Sequence, residues 1–144
     1  MNDLERTLVE AIASDSRIKR KMKELRNLWD EAISSRKKSA FDPYHAGVLT
    51  EYRDQRERGA APGESQRMVK LAKVKNGERL RHSIRRIIAA TSNADGKAAS
   101  RITNALRYGY RKKWVNIEAE LKDNGGISGC ATKFAALKKK RNNK

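Results

Sequence analysis

The sequence predicts an all-α protein, a small multi-helix bundle entered by a long amphipathic N-terminal helix. Three observations carry that reading. Apolar residues recur at steps of three and four along most of the chain, as in Ile18, Met22, Leu25, Trp29 and Ile33. The stretches that could form strands are short and confined to one place. Both prolines fall where turn or linker signals stand, so neither interrupts a periodic segment.

The elements follow in order. Leu4, Leu8, Val9 and Ile12 stand at helical spacing over residues 3–13. Ser14 and Asp15 then either cap a new helix or lie inside a longer one. The stripe from Ile18 to Ile33 must be buried against the chain itself, against a protein partner or against a second copy. The intramolecular choice comes first. SSRKKSAFDPYHAG (Ser34–Gly47) ends that helix, with Asp42-Pro43 as a turn and Phe41 and Tyr44 free to dock on the core. Val48–Arg58 reads as a short charged helix. GAAPGES (Gly59–Ser65) reads as a linker, and a boundary is expected near residue 62.

Residues 66–91 carry two alternatives. Met68, Leu71, Leu80, Ile84, Ile87 and Ile88 fit two helices broken at Gly77. Asn76-Gly77 between Val74 and Leu80 instead fits a short β-hairpin, because a type I′ turn needs two residues at positive φ. The two-helix reading is preferred. A further helix starts at Ala98 and carries Ile102, Leu106, Tyr110 and Trp114 on one line, and Asn124-Gly125-Gly126 stops the helical run. Ile127–Lys140 is a last short helix, and the basic tail 138–144 is expected to be disordered.

Charge divides the chain. The net charge is +17, of which residues 1–63 supply about +2, residues 64–113 about +11 and residues 114–144 about +4. Self-repulsion of this size is relieved by a polyanion, and nucleic acid is the commonest. Residues 1–62 are therefore read as a near-neutral region for packing or self-association. Residues 63–144 are read as a strongly basic nucleic-acid-binding region. The contact residues expected from it are Lys70, Lys73, Lys75, Arg79, Arg81, Arg85, Arg86, Arg107, Tyr108, Arg111, Lys112, Lys113, Lys133 and Lys138. Within RYGYRKKW (Arg107–Trp114), Tyr110 and Trp114 project onto the core line, leaving Tyr108 as the ring for stacking on a base.

Catalysis is not expected. His45 and His82 are isolated, and no HExxH, GxSxG, Walker A or GxGxxG pattern occurs. EAELK (Glu118–Lys122) contains the Glu-x-Lys triplet of some metal-dependent nucleases, but in a helix-like segment with only Asp95 upstream. No cofactor or metal is expected; the single cysteine, Cys130, rules out an internal disulfide or a cysteine zinc site. No segment reads as a signal peptide or a membrane span, and a membrane-surface role is disfavoured. A cytoplasmic or nucleoid-associated protein, not a secreted one, is expected.

LKDNGGISGCATKFA (Leu121–Ala135) resembles the first part of a helix-turn-helix. Lys122 and Thr132 depart from that pattern, and if Ile127–Ala136 is its first helix, too little sequence follows for a further recognition helix. The expected function is a non-catalytic nucleic-acid-binding protein that contacts the phosphate backbone, with DNA ahead of RNA. The alternatives are a small helical subunit of a ribonucleoprotein or CRISPR-type effector complex, and a phage or plasmid regulator acting on a protein machine.

Overall fold

The computed structural model describes residues 2–35 and 37–142, and among them it contains seven α-helices and no strand. The helices are α1 (Asp3–Ser34), α2 (Asp42–Glu57), α3 (Ala61–Leu71), α4 (Ser83–Thr91), α5 (Gly96–Arg111), α6 (Ile117–Asp123) and α7 (Gly126–Asn142). None of the described helices is long and apolar enough to cross a membrane.

The short helix α4 is the hub, touching α1, α2, α3 and α5. Ile84, Ile87 and Ile88 have no exposed surface. Isoleucine is a mediocre helix former, so packing on four neighbours rather than intrinsic propensity holds these nine residues helical. Around α4 a single core draws on residues from Ile18 to Phe134. Trp29 makes edge contacts with Phe41 and Tyr44, each at 5.1 Å between ring centroids, and its Nε1 donates to Asn93 Oδ1 at 2.8 Å. The Tyr44 hydroxyl lies 2.7 Å from Thr91 Oγ1, which itself donates to the Ile87 carbonyl. Tyr44 is therefore the donor, and its buried hydroxyl is satisfied.

The N-terminal helix is one element, with Ser14 and Asp15 inside it. Ile18, Leu25 and Trp29 are buried and Met22 is half-buried, so that stripe is spent on the chain's own core. Ile33 departs from the expected stripe: it is exposed, and Ala32 is buried in its place. At 100° per residue, Ala32 stays on the core line while Ile33 turns off it.

The expected linker is instead structured. Gly59 ends α2 at φ +67, and α3 begins two residues later with Pro62 in its first turn, where a missing N–H costs nothing. Glu64 pairs with Arg58 of α2 and, at 3.2 Å, with Arg17 of α1, while Arg67 pairs with Asp15 at 2.7 Å. In isolation, Pro and Gly look like breakers; here they are the stop of one helix and the start of the next. Asp42-Pro43 likewise opens α2 rather than standing apart as a turn.

The hairpin alternative at Asn76-Gly77 is not what forms. Asn76 is left-handed (φ 59), but Gly77 opens a single 3₁₀ turn ending at Arg79. Gly77 is closely packed: a β-carbon there would lie 3.0 Å from Val69 Cβ, which would have to give by a few tenths of an ångström. The expected two helices stand on either side, although α4 starts only at Ser83. Arg79 and Arg81 thus precede it and are not helical neighbours of Arg85. The tail also differs from expectation, since α7 carries residues 138–142 as helix. Asn143 and Lys144 lie outside the described residues.

Candidate nucleic-acid interface

The site is assembled by α2, α5 and α7. Arg107 of α5 lies over the Phe134 ring of α7 at 4.8 Å, and Arg111 faces the same space as Lys138 and Arg141. The two helices thus run side by side in the same direction, and their cationic edges meet α2. Between them is a cleft of about 400 Å³ lined by Tyr52, His82, Arg107, Tyr110, Arg111, Phe134, Lys138 and Arg141. A second lobe of about 610 Å³ shares Tyr110 and Arg111 and adds Arg53, Arg56, Glu57, Lys113 and Trp114.

Among the described residues, seven cations (Arg53, Arg56, Arg107, Arg111, Lys113, Lys138 and Arg141) therefore face one carboxylate, Glu57. The ion pairs among the described residues are Arg17–Glu64, Lys21–Glu24, Arg58–Asp54, Arg58–Glu64 and Arg67–Asp15, and none involves a cleft cation. Arg53 Nη2 is buried without a hydrogen-bond partner. Arg56 Nε donates to the Tyr110 hydroxyl at 3.4 Å, with its guanidinium 5.8 Å from that ring. Tyr52 meets Tyr110 edge-on at 4.9 Å, which fixes the ring both lobes share. Rings beneath guanidinium groups hold the charges in place while leaving their outer N–H groups for an anion.

The end of α5 decides which tyrosine faces the cleft. The chain turns at Lys113 (φ 56), and Trp114 folds back so that its N–H donates to the Gly109 carbonyl at 3.2 Å. Its indole covers Gly109 and meets Tyr108 edge-on at 5.9 Å. Tyr108 is thereby buried and cannot stack on a base, correcting the expectation, while Tyr110 is half-exposed in the cleft. The straight helical projection failed because α5 stops three residues before Trp114.

The structure divides the other expected contact residues. Arg107, Arg111, Lys113 and Lys138 line the cleft. Lys112 and Lys133 line a shallower 300 Å³ hollow beside it with Tyr108, and the Lys133 ammonium donates to Asn124 Oδ1 at 3.0 Å. Lys70, Lys73, Lys75, Arg79 and Arg81 are exposed on the α3–α4 side, and Arg85 is half-buried. Arg86 is a structural staple: it donates to the carbonyls of Leu80 (2.8 Å) and Pro62 (3.3 Å) and to Ser65 Oγ (3.3 Å). Sequence reading missed Arg53 and Arg56, which belong to the near-neutral half, and Arg141 in the tail. Of the nuclease-like set, Asp95 caps α5 by accepting from the Ala98 N–H at 2.8 Å.

His82 sits at the cleft floor as the N-cap of α4, its Nδ1 accepting the Ile84 N–H at 3.1 Å. Burial, with Arg107, Arg56 and Arg86 nearby, pushes it down to about 4 from an ordinary 6.5. Burial alone does the same to His45. Both imidazoles are held neutral, so the stability they contribute is present above pH 6.5 and is lost as pH falls toward 4, where the unfolded chain binds protons first. Protonation of His82 also removes the cap's acceptor. Thermal melts of His82→Asn, which keeps a capping oxygen but cannot titrate, are expected to lose less Tm than the parent between pH 7 and pH 4. Asp42 and Glu51, whose carboxyls burial holds above their usual range, act the opposite way in both proteins, so the comparison isolates His82. Parallel Tm profiles would refute the assignment.

The arrangement stands on its own residues: no protein-family model matches the chain, and no curated protein or solved structure matches it.

Proposed function

We propose that the chain is a non-catalytic nucleic-acid-binding protein that grips the phosphate backbone in the cleft between α2, α5 and α7. The observation that carries this reading is the set of seven cleft cations without a carboxylate partner among the described residues. Like charges gathered around two aromatic rings repel one another, and that cost is recovered when successive phosphates enter and counterions leave. The described carboxylates of α1 to α3 that form ion pairs pair with other cations, which leaves the cleft strongly positive. Among the described residues, no Asn or Gln, the residues that read adenine, stands in the lining, so backbone contact is expected to dominate over base readout. DNA stands ahead of RNA, because no RNA-binding module signature occurs in the sequence.

The test is a salt-titrated mobility-shift comparison of duplex DNA, single-stranded DNA and RNA of equal length. Affinity should fall steeply with salt, with a log–log slope of about −3 to −6 if four to seven phosphates are neutralised. A binding constant insensitive to salt, or no binding to any of the three at low salt, would remove the proposal.

A further inference from the structure

The first three turns of α1 form an arm that no other described part of the chain covers. Every described residue from Asn2 to Ala13 is exposed, and the first buried side chain is Ile18. Three turns of helix are marginal in water alone, yet this end is built to be helical. Asn2 accepts the Glu5 N–H at 2.8 Å, and the Glu5 carboxylate accepts the Asn2 N–H at 3.3 Å. The arm is also amphipathic: Leu4, Leu8, Val9 and Ile12 are 69%, 55%, 54% and 67% exposed. At about 100° per residue, Leu4, Leu8 and Ile12 fall in a sector about 80° wide, roughly a quarter turn from the Ile18–Leu25–Trp29 line. This apolar face thus adjoins the core line but turns away from it, and apolar side chains clustered on one exposed face mark an interaction surface.

We propose that the occupant is the arm of a second copy, paired antiparallel about Leu8. Two features of the chain favour self-pairing. Leu4, Leu8 and Ile12 read the same in both directions, with Leu8 meeting its own copy and Leu4 meeting Ile12, while Val9 stands to one side of that seam. Charge favours the same geometry. Residues 2–15 carry Asp3, Glu5, Glu10 and Asp15 against Arg6, a net −3 within a chain of +17. Since Glu64 pairs with Arg17 and Arg67 with Asp15, α3 runs against α1, and Lys70 lies next along it toward the arm. Antiparallel pairing brings the acidic first turn of one copy, with Asp3 and Glu5, to the Arg67–Lys70 edge of the other. A parallel pair would set acidic turn against acidic turn and one basic body against the other.

Arms of this length bury roughly 600–1,000 Å² in total, below the ~1,200 Å² of standard interfaces, so the dimer is a weak one that assembles only at high protein concentration. Sedimentation velocity without nucleic acid tests it. The average mass should rise with concentration from 16.3 kDa toward twice that value. Leu8→Glu with Ile12→Glu should hold the protein monomeric, and because both side chains are exposed in the monomer, its helicity and Tm should be unchanged at low concentration. Leu8→Cys, in a Cys130→Ser background, should oxidise to a dimer through position 8, whereas Leu4→Cys should cross-link only to Ile12→Cys. A protein that stays monomeric at several hundred micromolar overturns the proposal. So does a dimer that survives the double Glu substitution.

Discussion

Arg111→Ala combined with Lys138→Ala is expected to weaken nucleic-acid binding roughly 30- to 100-fold at low salt and to reduce the salt slope by about 2, one unit for each phosphate that is no longer neutralised. Arg111 borders both lobes of the cleft, and Lys138 faces it from α7; both side chains are exposed. Neither forms an ion pair with a described carboxylate, so Tm should not fall. Arg107 is the less informative target, because its guanidinium covers Phe134 and its removal would also disturb packing. The control is Lys19→Ala with Lys23→Ala, two exposed cations on α1 that lie outside the cleft lining. If both pairs weaken binding equally, the affinity comes from diffuse charge and the cleft is not the site.

Gly109→Ala is expected to destabilise the fold by about 3 kcal/mol, a Tm drop of roughly 10 °C, although alanine is the better helix former. The added carbon would lie 2.5 Å from Trp114 Cε3 and 2.7 Å from Cζ3, atoms of a rigid ring that can yield only by moving as a whole off the helix. Relief requires expelling Trp114, which uncovers Tyr108 and loosens the Lys113 turn. Gly96→Ala serves as the contrast. It also lies on α5, its added carbon meets nothing within 4 Å, and its φ is outside the left-handed range. That substitution should be neutral or slightly stabilising. If the two variants melt together, the Trp114 contact is not what fixes Gly109.

How much was legible depended on whether the deciding contact was local. The helical class, the burial of Ile18, Leu25 and Trp29, and the stop at Gly125-Gly126 all follow from spacing or from a glycine's freedom at positive φ. Pro62 misleads because a proline permits a helix start as readily as it forbids a helix interior, and only Arg17, Arg58 and Glu64 together show which applies. Tyr108 and Tyr110 exchange roles because Lys113 takes a left-handed conformation that no lysine advertises. The cleft was half legible. Arg107, Arg111, Lys113 and Lys138 stand out as unbalanced charge, whereas Arg53 and Arg56 are hidden in a segment whose acids balance them along the sequence but not in space.

The two tryptophans occupy separate surroundings. Trp29 lies in the core with its N–H held by Asn93, while Trp114 forms a wall of the second cleft lobe. Their emission therefore has two sources, one in the packed core and one packed on Gly109 at the edge of the cleft. A Trp29→Phe protein would leave a single indole reporting occupancy, and a Trp114→Phe protein a single indole reporting unfolding. If the cleft is occupied as proposed, Trp114 is the indole whose emission should respond at constant Trp29 emission, whereas loss of the fold should move both.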